Sequence, residues 1–73
     1  MKTYRLSSAK GMAEGTLAEC VAAQRELCGA FAEIAELRGH VVLAEVSVDD
    51  DRIDWSEDDD GVIAQVEHAL SIE

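Results

Sequence analysis

The sequence predicts a small α+β domain of βαββα order, a three-stranded antiparallel sheet with two helices on one face, with residues 1–73 forming a single domain. Three observations carry that reading. Apolar and polar residues alternate over residues 2–7, the period of a half-buried strand, and residues 40–48 form a β-branched run that also reads as a strand. Between these runs, apolar residues recur at helical spacing behind a helix-start signal, and a second helical run follows residue 58. A chain of 73 residues supports one hydrophobic core, which buries only ~60% of the surface the unfolded chain exposes, so its margin of stability is thin.

Over residues 2–7, Tyr4 and Leu6 alternate with Thr3, Arg5 and Ser7, a short first strand. Residues 8–15 are small, polar and glycine-containing and read as a loop. The loop ends at Thr16, whose side chain can cap a helix while Glu19 reaches back, the T-x-x-E capping box. Leu17, Cys20, Val21, Leu27, Cys28, Phe31, Ile34 and Ala35 then fall on one helical stripe, and Gly39 supplies a left-handed position after Arg38. One helix of about six turns is expected. A bend or break at Gly29 is the alternative, because an interior glycine costs ~1 kcal/mol relative to alanine.

Residues 40–48 are rich in β-branched side chains, with Val42, Ala44, Val46 and Val48 on one face and Val41, Leu43, Glu45 and Ser47 on the other. Asp49, Asp50 and Asp51 favour a turn, and residues 52–55 alternate again through Ile53 and Trp55, so the pair reads as an antiparallel hairpin with an acidic tip. Residues 58–71 place Val62, Ile63, Val66, Ala69 and Leu70 at helical intervals, capped by Ser56 or Asp58. Tyr4, Leu6, Ile53 and Trp55 then meet the apolar stripes of both helices.

The composition, 48% hydrophobic and 30% charged, is that of a folded chain rather than a disordered acidic tail. No apolar run approaches the ~20 residues of a membrane span, and the first ten residues lack the apolar core of a signal peptide, so the expectation is a cytoplasmic protein. The net charge is −10, and residues 11–73 carry 3 basic against 16 acidic side chains. Such a surface is repelled by phosphate backbones and anionic lipid, which argues against direct nucleic-acid or membrane binding and favours a basic protein surface as partner.

The acid is concentrated in one segment. Asp49, Asp50, Asp51, Asp54, Glu57, Asp58, Asp59 and Asp60 fill eight of twelve positions and only Arg52 answers them, a local charge of −7. Part of this stretch, residues 56–67, resembles the twelve-residue calcium loop of EF-hand proteins. Asp58, Asp60, Gly61 and Glu67 match loop positions three, five, six and twelve, and Ile63 falls on the apolar position. The implied ligands are Ser56, Asp58, Asp60 and Glu67. Ser56 stands where the family carries an aspartate, and the preceding residues read as a hairpin rather than an entering helix. Helix capping by Asp58, with Asp59 and Asp60 in the first turn, explains the same residues without an ion.

Cys20, Cys28, His40 and His68 match a zinc set in number but not in spacing, since structural zinc sites pair ligands a few residues apart. The two cysteines read as reduced packing residues. No nucleophile with its base and no phosphate-binding glycine loop is visible, so the expectation is a binding protein without cofactor rather than an enzyme.

On the expected long helix, Glu19, Glu26 and Glu33 recur every seven residues and so lie nearly in line, extending the acidic surface. In size, in charge and in the segment D-D-D-R-I-D-W-S-E-D-D-D, the chain resembles the small phage-encoded inhibitors of bacterial defence, in particular anti-CRISPR proteins and antirestriction DNA mimics. That resemblance implies action in a host cytoplasm by occupying a Lys/Arg-lined groove of a nucleic-acid-binding complex, with Trp55 as an aromatic anchor if exposed. The remaining alternative is a structural subunit or homodimer, packing through a helix face of Ala18, Ala22 and Ala32.

Overall fold

A computed structural model describes residues 2–27 and 31–72. The chain runs through β1 (Lys2–Ser8), β2 (Gly11–Gly15), α1 (Leu17–Leu27), β3 (Glu33–Arg38), β4 (Val41–Ser47) and α2 (Asp59–Ser71). The strands form one antiparallel sheet in the order β2-β1-β3-β4. The class is the α+β expected, but the sheet has four strands rather than three. None of the described helices is long and apolar enough to cross a membrane.

Two departures account for the difference. Residues 11–15, read as loop, are the edge strand β2, which pairs with β1 from Tyr4↔Gly15 to Ser8↔Gly11. Its G-M-A-E-G sequence has little strand preference of its own and is ordered by a two-residue turn in which Ser8 Oγ donates to the Gly11 carbonyl at 2.9 Å. Residues 33–38, read as the end of the long helix, are the central strand β3. The described helix is Leu17–Leu27, and Cys28 and Gly29, the position of the alternative bend, lie outside the described residues.

Gly39 explains part of the misreading. Its φ of +65° suits a helix C-terminus and equally the first central residue of a two-residue hairpin, and here it makes the hairpin that pairs Arg38 with Val41. The strand expected over residues 40–48 is therefore real, as β4, but its partner is β3. Residues 52–55 form no strand. They belong to consecutive turns, with Asp50 N donating to Ser47 O, Ile53 N to Asp50 O, and Glu57 N to Asp54 O.

Both helix starts are as the sequence reads. Glu19 N donates to Thr16 Oγ1 at 3.2 Å and Thr16 N to Glu19 Oε1 at 3.1 Å, a closed capping box. Gly15 must precede it, because a Cβ there would stand 2.7 Å from Glu19 Oε1. Asp58 caps α2 by accepting from Gly61 N at 2.8 Å.

Register aligns Ala13, Leu6, Ile34 and Val46 in one row across all four strands. Leu6, Ile34 and Val46 are buried there against Leu17, Cys20 and Val21 of α1 and Val62, Val66 and Ala69 of α2. Ile53 and Val48 close one end of this core and Trp55 packs on it, as expected of both Ile53 and Trp55. The opposite face of the sheet, through Thr3, Arg5, Ser7, Glu14, Glu33 and Glu45, carries no helix. Replacing Ile34, fully buried at the centre, with alanine removes a branched side chain from the shared row. Ile34→Ala is expected to cost about 2–5 kcal/mol, a large part of this domain's stability, read as a fall in the urea unfolding midpoint.

Candidate functional site: the acidic end

Strand register places the ends of the molecule. Ser7, Glu33 and Ser47 lie in one row, and Lys2 faces Arg38, which faces Val41, in the row at the far end. The acidic connection leaves β4 after Ser47 and delivers the chain to the start of α2, so all eight of its carboxylates gather at the first end. Arg38 and His40 sit at the second.

The segment is a series of turns, not a hairpin tip, and each turn is made by its own acids. Asp49 accepts from Ser47 Oγ. Asp50 receives Arg52 N and Nε at 2.9 Å and Nη2 at 2.8 Å. Asp54 Oδ1 receives Ser56 N at 3.0 Å and Ser56 Oγ at 2.6 Å, a side-chain turn that holds its carboxyl below the usual aspartate range. Asp58 is the cap. The side chains of Asp51, Glu57 and Asp60 make no hydrogen bond or ion pair among the described residues and stand in solvent.

One cation from α1 fastens the whole segment. Arg25 Nε donates to Asp59 Oδ1 at 2.6 Å, Nη1 to the Trp55 carbonyl at 3.2 Å and Nη2 to the Glu57 carbonyl at 2.8 Å. Its guanidinium also stands 5.7 Å from the Trp55 ring centroid. Trp55 is half-buried and its indole Nε1 donates to Val48 O at 2.6 Å, so it anchors the loop inward and is not offered to a partner. From α2, Gln65 Oε1 accepts from Asp54 N at 2.6 Å. Arg25 had no place in the sequence reading. Its signal is a lone arginine in the last turn of a helix, in a chain with few cations and an acidic run elsewhere.

The glutamate line does not survive. Glu19 is at the far end, inside the capping box, and only Glu26 lies in the last turns of α1 towards the acidic end. Glu33 opens β3, on the sheet face away from the helices, because its neighbour Ile34 points into the core. It joins the acidic end from there. The Glu45 carboxylate, as acceptor of a hydrogen bond from the protonated Glu33 carboxyl and then through its charge, pushes the Glu33 carboxyl up. Phe31, placed by its spacing on the apolar helix stripe, is instead 88% exposed. The adjacent Ala32 O accepts Val48 N at 3.0 Å, which sets Phe31 near Asp49.

The calcium loop is not formed. Asp60, Gly61 and Glu67 are helical residues of α2, and seven residues of helical rise separate Asp60 from Glu67 by ~10 Å. Among the described residues, no group of three or more His, Cys, Asp or Glu side chains has metal-binding geometry. The alanine face is also absent, since Ala18 and Ala22 are exposed on α1 whereas Ala32 is buried beside β4. The acidic end presents an array of carboxylates on a fixed backbone. Comparison of the chain with protein-family models, curated proteins and solved structures finds no match.

Two measurements follow from this geometry. Arg25→Ala removes the hydrogen bonds to Asp59, the Trp55 carbonyl and the Glu57 carbonyl at a partly exposed site and is expected to lower unfolding free energy by about 1–3 kcal/mol, while Arg25→Lys recovers less than half because an ammonium lacks the planar fork. The Arg52 side-chain hydrogen bonds, then its backbone N–H, hold Asp50 down at about 2. That value lies below the unfolded one, so this carboxylate's contribution to stability is complete above pH ~4 and is lost as pH falls from there towards about 2. Carboxyl-carbon NMR is expected to show the low midpoint, and Arg52→Ala to raise it while leaving it below the ordinary aspartate range, because the backbone N–H of residue 52 still donates to Asp50.

Proposed function

We propose that this chain is a non-enzymatic binding protein whose acidic end occupies a basic, nucleic-acid-binding surface of a partner protein, as an anti-CRISPR or DNA-mimic inhibitor does. The observation that carries the reading is the gathering of carboxylates from separate elements at one end. Eight come from residues 49–60, with Glu26 from α1 and Glu33 and Glu45 from the sheet. Solvation alone does not require such a gathering, and mutual repulsion opposes it. The backbone carrying them is fixed by Arg25, Gln65 and Trp55, so little ordering entropy is lost on binding. Asp51, Glu57 and Asp60 hold carboxylates that a partner's lysines or arginines can take without breaking an internal bond.

Phe31 adds an apolar contact at the margin of this surface. An exposed aromatic ringed by charge is the composition of an interface hot spot with a polar rim. The roles proposed for Asp49, Asp50, Asp54, Asp58 and Asp59 are chiefly electrostatic, since each already shapes its own turn or helix end.

The immobilised chain should capture from bacterial lysate proteins that a double-stranded oligonucleotide or transfer RNA then elutes, because both compete for one basic groove. With a purified captured protein, affinity should fall steeply between 50 and 200 mM salt, and Asp51→Asn, Glu57→Gln and Asp60→Asn combined should weaken it by about tenfold or more. Capture indifferent to nucleic acid, to salt and to the triple substitution would overturn the reading.

A further inference from the structure

At the end of the molecule opposite the acidic segment, the alternation that builds the core is broken. One row on from Leu6, Ile34 and Val46, on the same helix-facing side, register aligns Gly15, Tyr4, Glu36 and Ala44. A row in that position ordinarily continues the core with apolar side chains. Here two members are small, one is a phenol and one is a carboxylate whose side chain is only 17% exposed. Breaks of this kind, where local patterning departs from what packing alone favours, concentrate at functional sites.

The row leaves space. A cavity of about 450 Å³ lies above Tyr4, Glu36 and Ala44. The last turns of α2 wall it with Glu67 and Leu70, and Leu43, the extra residue of a β-bulge in β4, stands at its edge. Two carboxylates and two leucines therefore line one recess. The Tyr4 hydroxyl responds to its surroundings: burial raises its pKa most, followed by the charges of Glu36 and Glu67 and the hydrogen bond to Glu36.

Among the described lining residues the one cation is Lys2, whose Nζ is 3.6 Å from Glu36 Oε1 on a side chain that is 64% exposed. At that distance it pairs with the carboxylate by charge but falls outside hydrogen-bond range. One ammonium against two carboxylates leaves the described lining negative, and although that lining is mainly polar, Leu43, Ala44 and Leu70 give it a small aliphatic part that a short hydrocarbon chain can meet.

We propose that this cavity binds an organic monocation, an ammonium or guanidinium group on a short aliphatic chain, which displaces Lys2 from Glu36 and lays its chain against Leu43, Ala44 and Leu70. The charged head replaces the loose Lys2 pair with direct hydrogen bonds to Glu36 and the Tyr4 oxygen. The site is distinct from the acidic end, and neither reading rests on the other.

Amide chemical shifts during titration with n-butylammonium chloride test the site, with n-butanol as the neutral analogue and potassium chloride as the ionic-strength control. Saturable shifts confined to Tyr4, Glu36, Leu43, Ala44 and Leu70 are expected, absent with n-butanol. Glu36→Gln should weaken binding by tenfold or more and the charge-matched Glu14→Gln by less than twofold. Lys2→Ala should strengthen it several-fold by removing the internal competitor, and Ala44→Leu should abolish it by filling the space. A capped tripeptide with a central lysine separates two sources of the same chemistry: affinity within threefold of the free amine assigns the site to a protein side chain, and a tenfold loss assigns it to a free amine. Linear shifts spread over the carboxylates, equal effects of Glu36→Gln and Glu14→Gln, or weaker binding by Lys2→Ala would each overturn the proposal.

Discussion

The guanidinium of Arg25 is the constraint on which the acidic end depends. Eight acids within twelve residues repel one another, and a turn-rich segment of that charge has every reason to spread into solvent. Arg52 closes its own turn on Asp50. Arg25 reaches acceptors 30, 32 and 34 residues along the chain, and two of the three are backbone carbonyls. The shape of the loop is thereby held while, among the described residues, Arg25 pairs with the carboxylate of Asp59. A network of surface ion pairs would have cancelled more charge, and a lysine would have cancelled as much while specifying less geometry.

The parts of the fold legible in the sequence are those with a local cause. Thr16 with Glu19 and Asp58 with Gly61 each satisfy helix-end groups within four residues, and both helix starts lie where those residues put them. The β-branched run of β4 is likewise local. Residues 33–38 were misread because E-I-A-E-L-R carries apolar residues compatible with either period, and its state is decided by non-local pairing to β1 and β4. Gly39 then satisfied the wrong expectation with the same positive φ. A helix of six turns puts Phe31 on a buried stripe and Glu33 in line with Glu26, so the position of one helix end moves two residues away from the acidic end.

The acidic surface was legible as composition and not as geometry. Residues 49–51 and 58–60, which sequence reading separates by a strand pair, lie in one connection because residues 52–55 turn instead of extending. The carboxylates added from elsewhere, Glu26, Glu33 and Glu45, could be found only through strand register and helix direction. The cavity beside Glu36 was hidden for the same reason. A glutamate two residues from Ile34 looks like a helix's solvent face until the segment is known to be a strand, and only then does its inward direction conflict with the core.

Trp55 has a consequence that follows from its number as well as its place. It is the only tryptophan in the chain, and its indole is bonded to Val48 while the Arg25 charge stands over its ring. An excited indole is sensitive to both a hydrogen-bond acceptor at its nitrogen and a cation above its plane. The chain therefore carries its own optical reporter at the joint between the charged loop and the core, and release of the loop will register in emission wavelength and anisotropy before the domain as a whole unfolds.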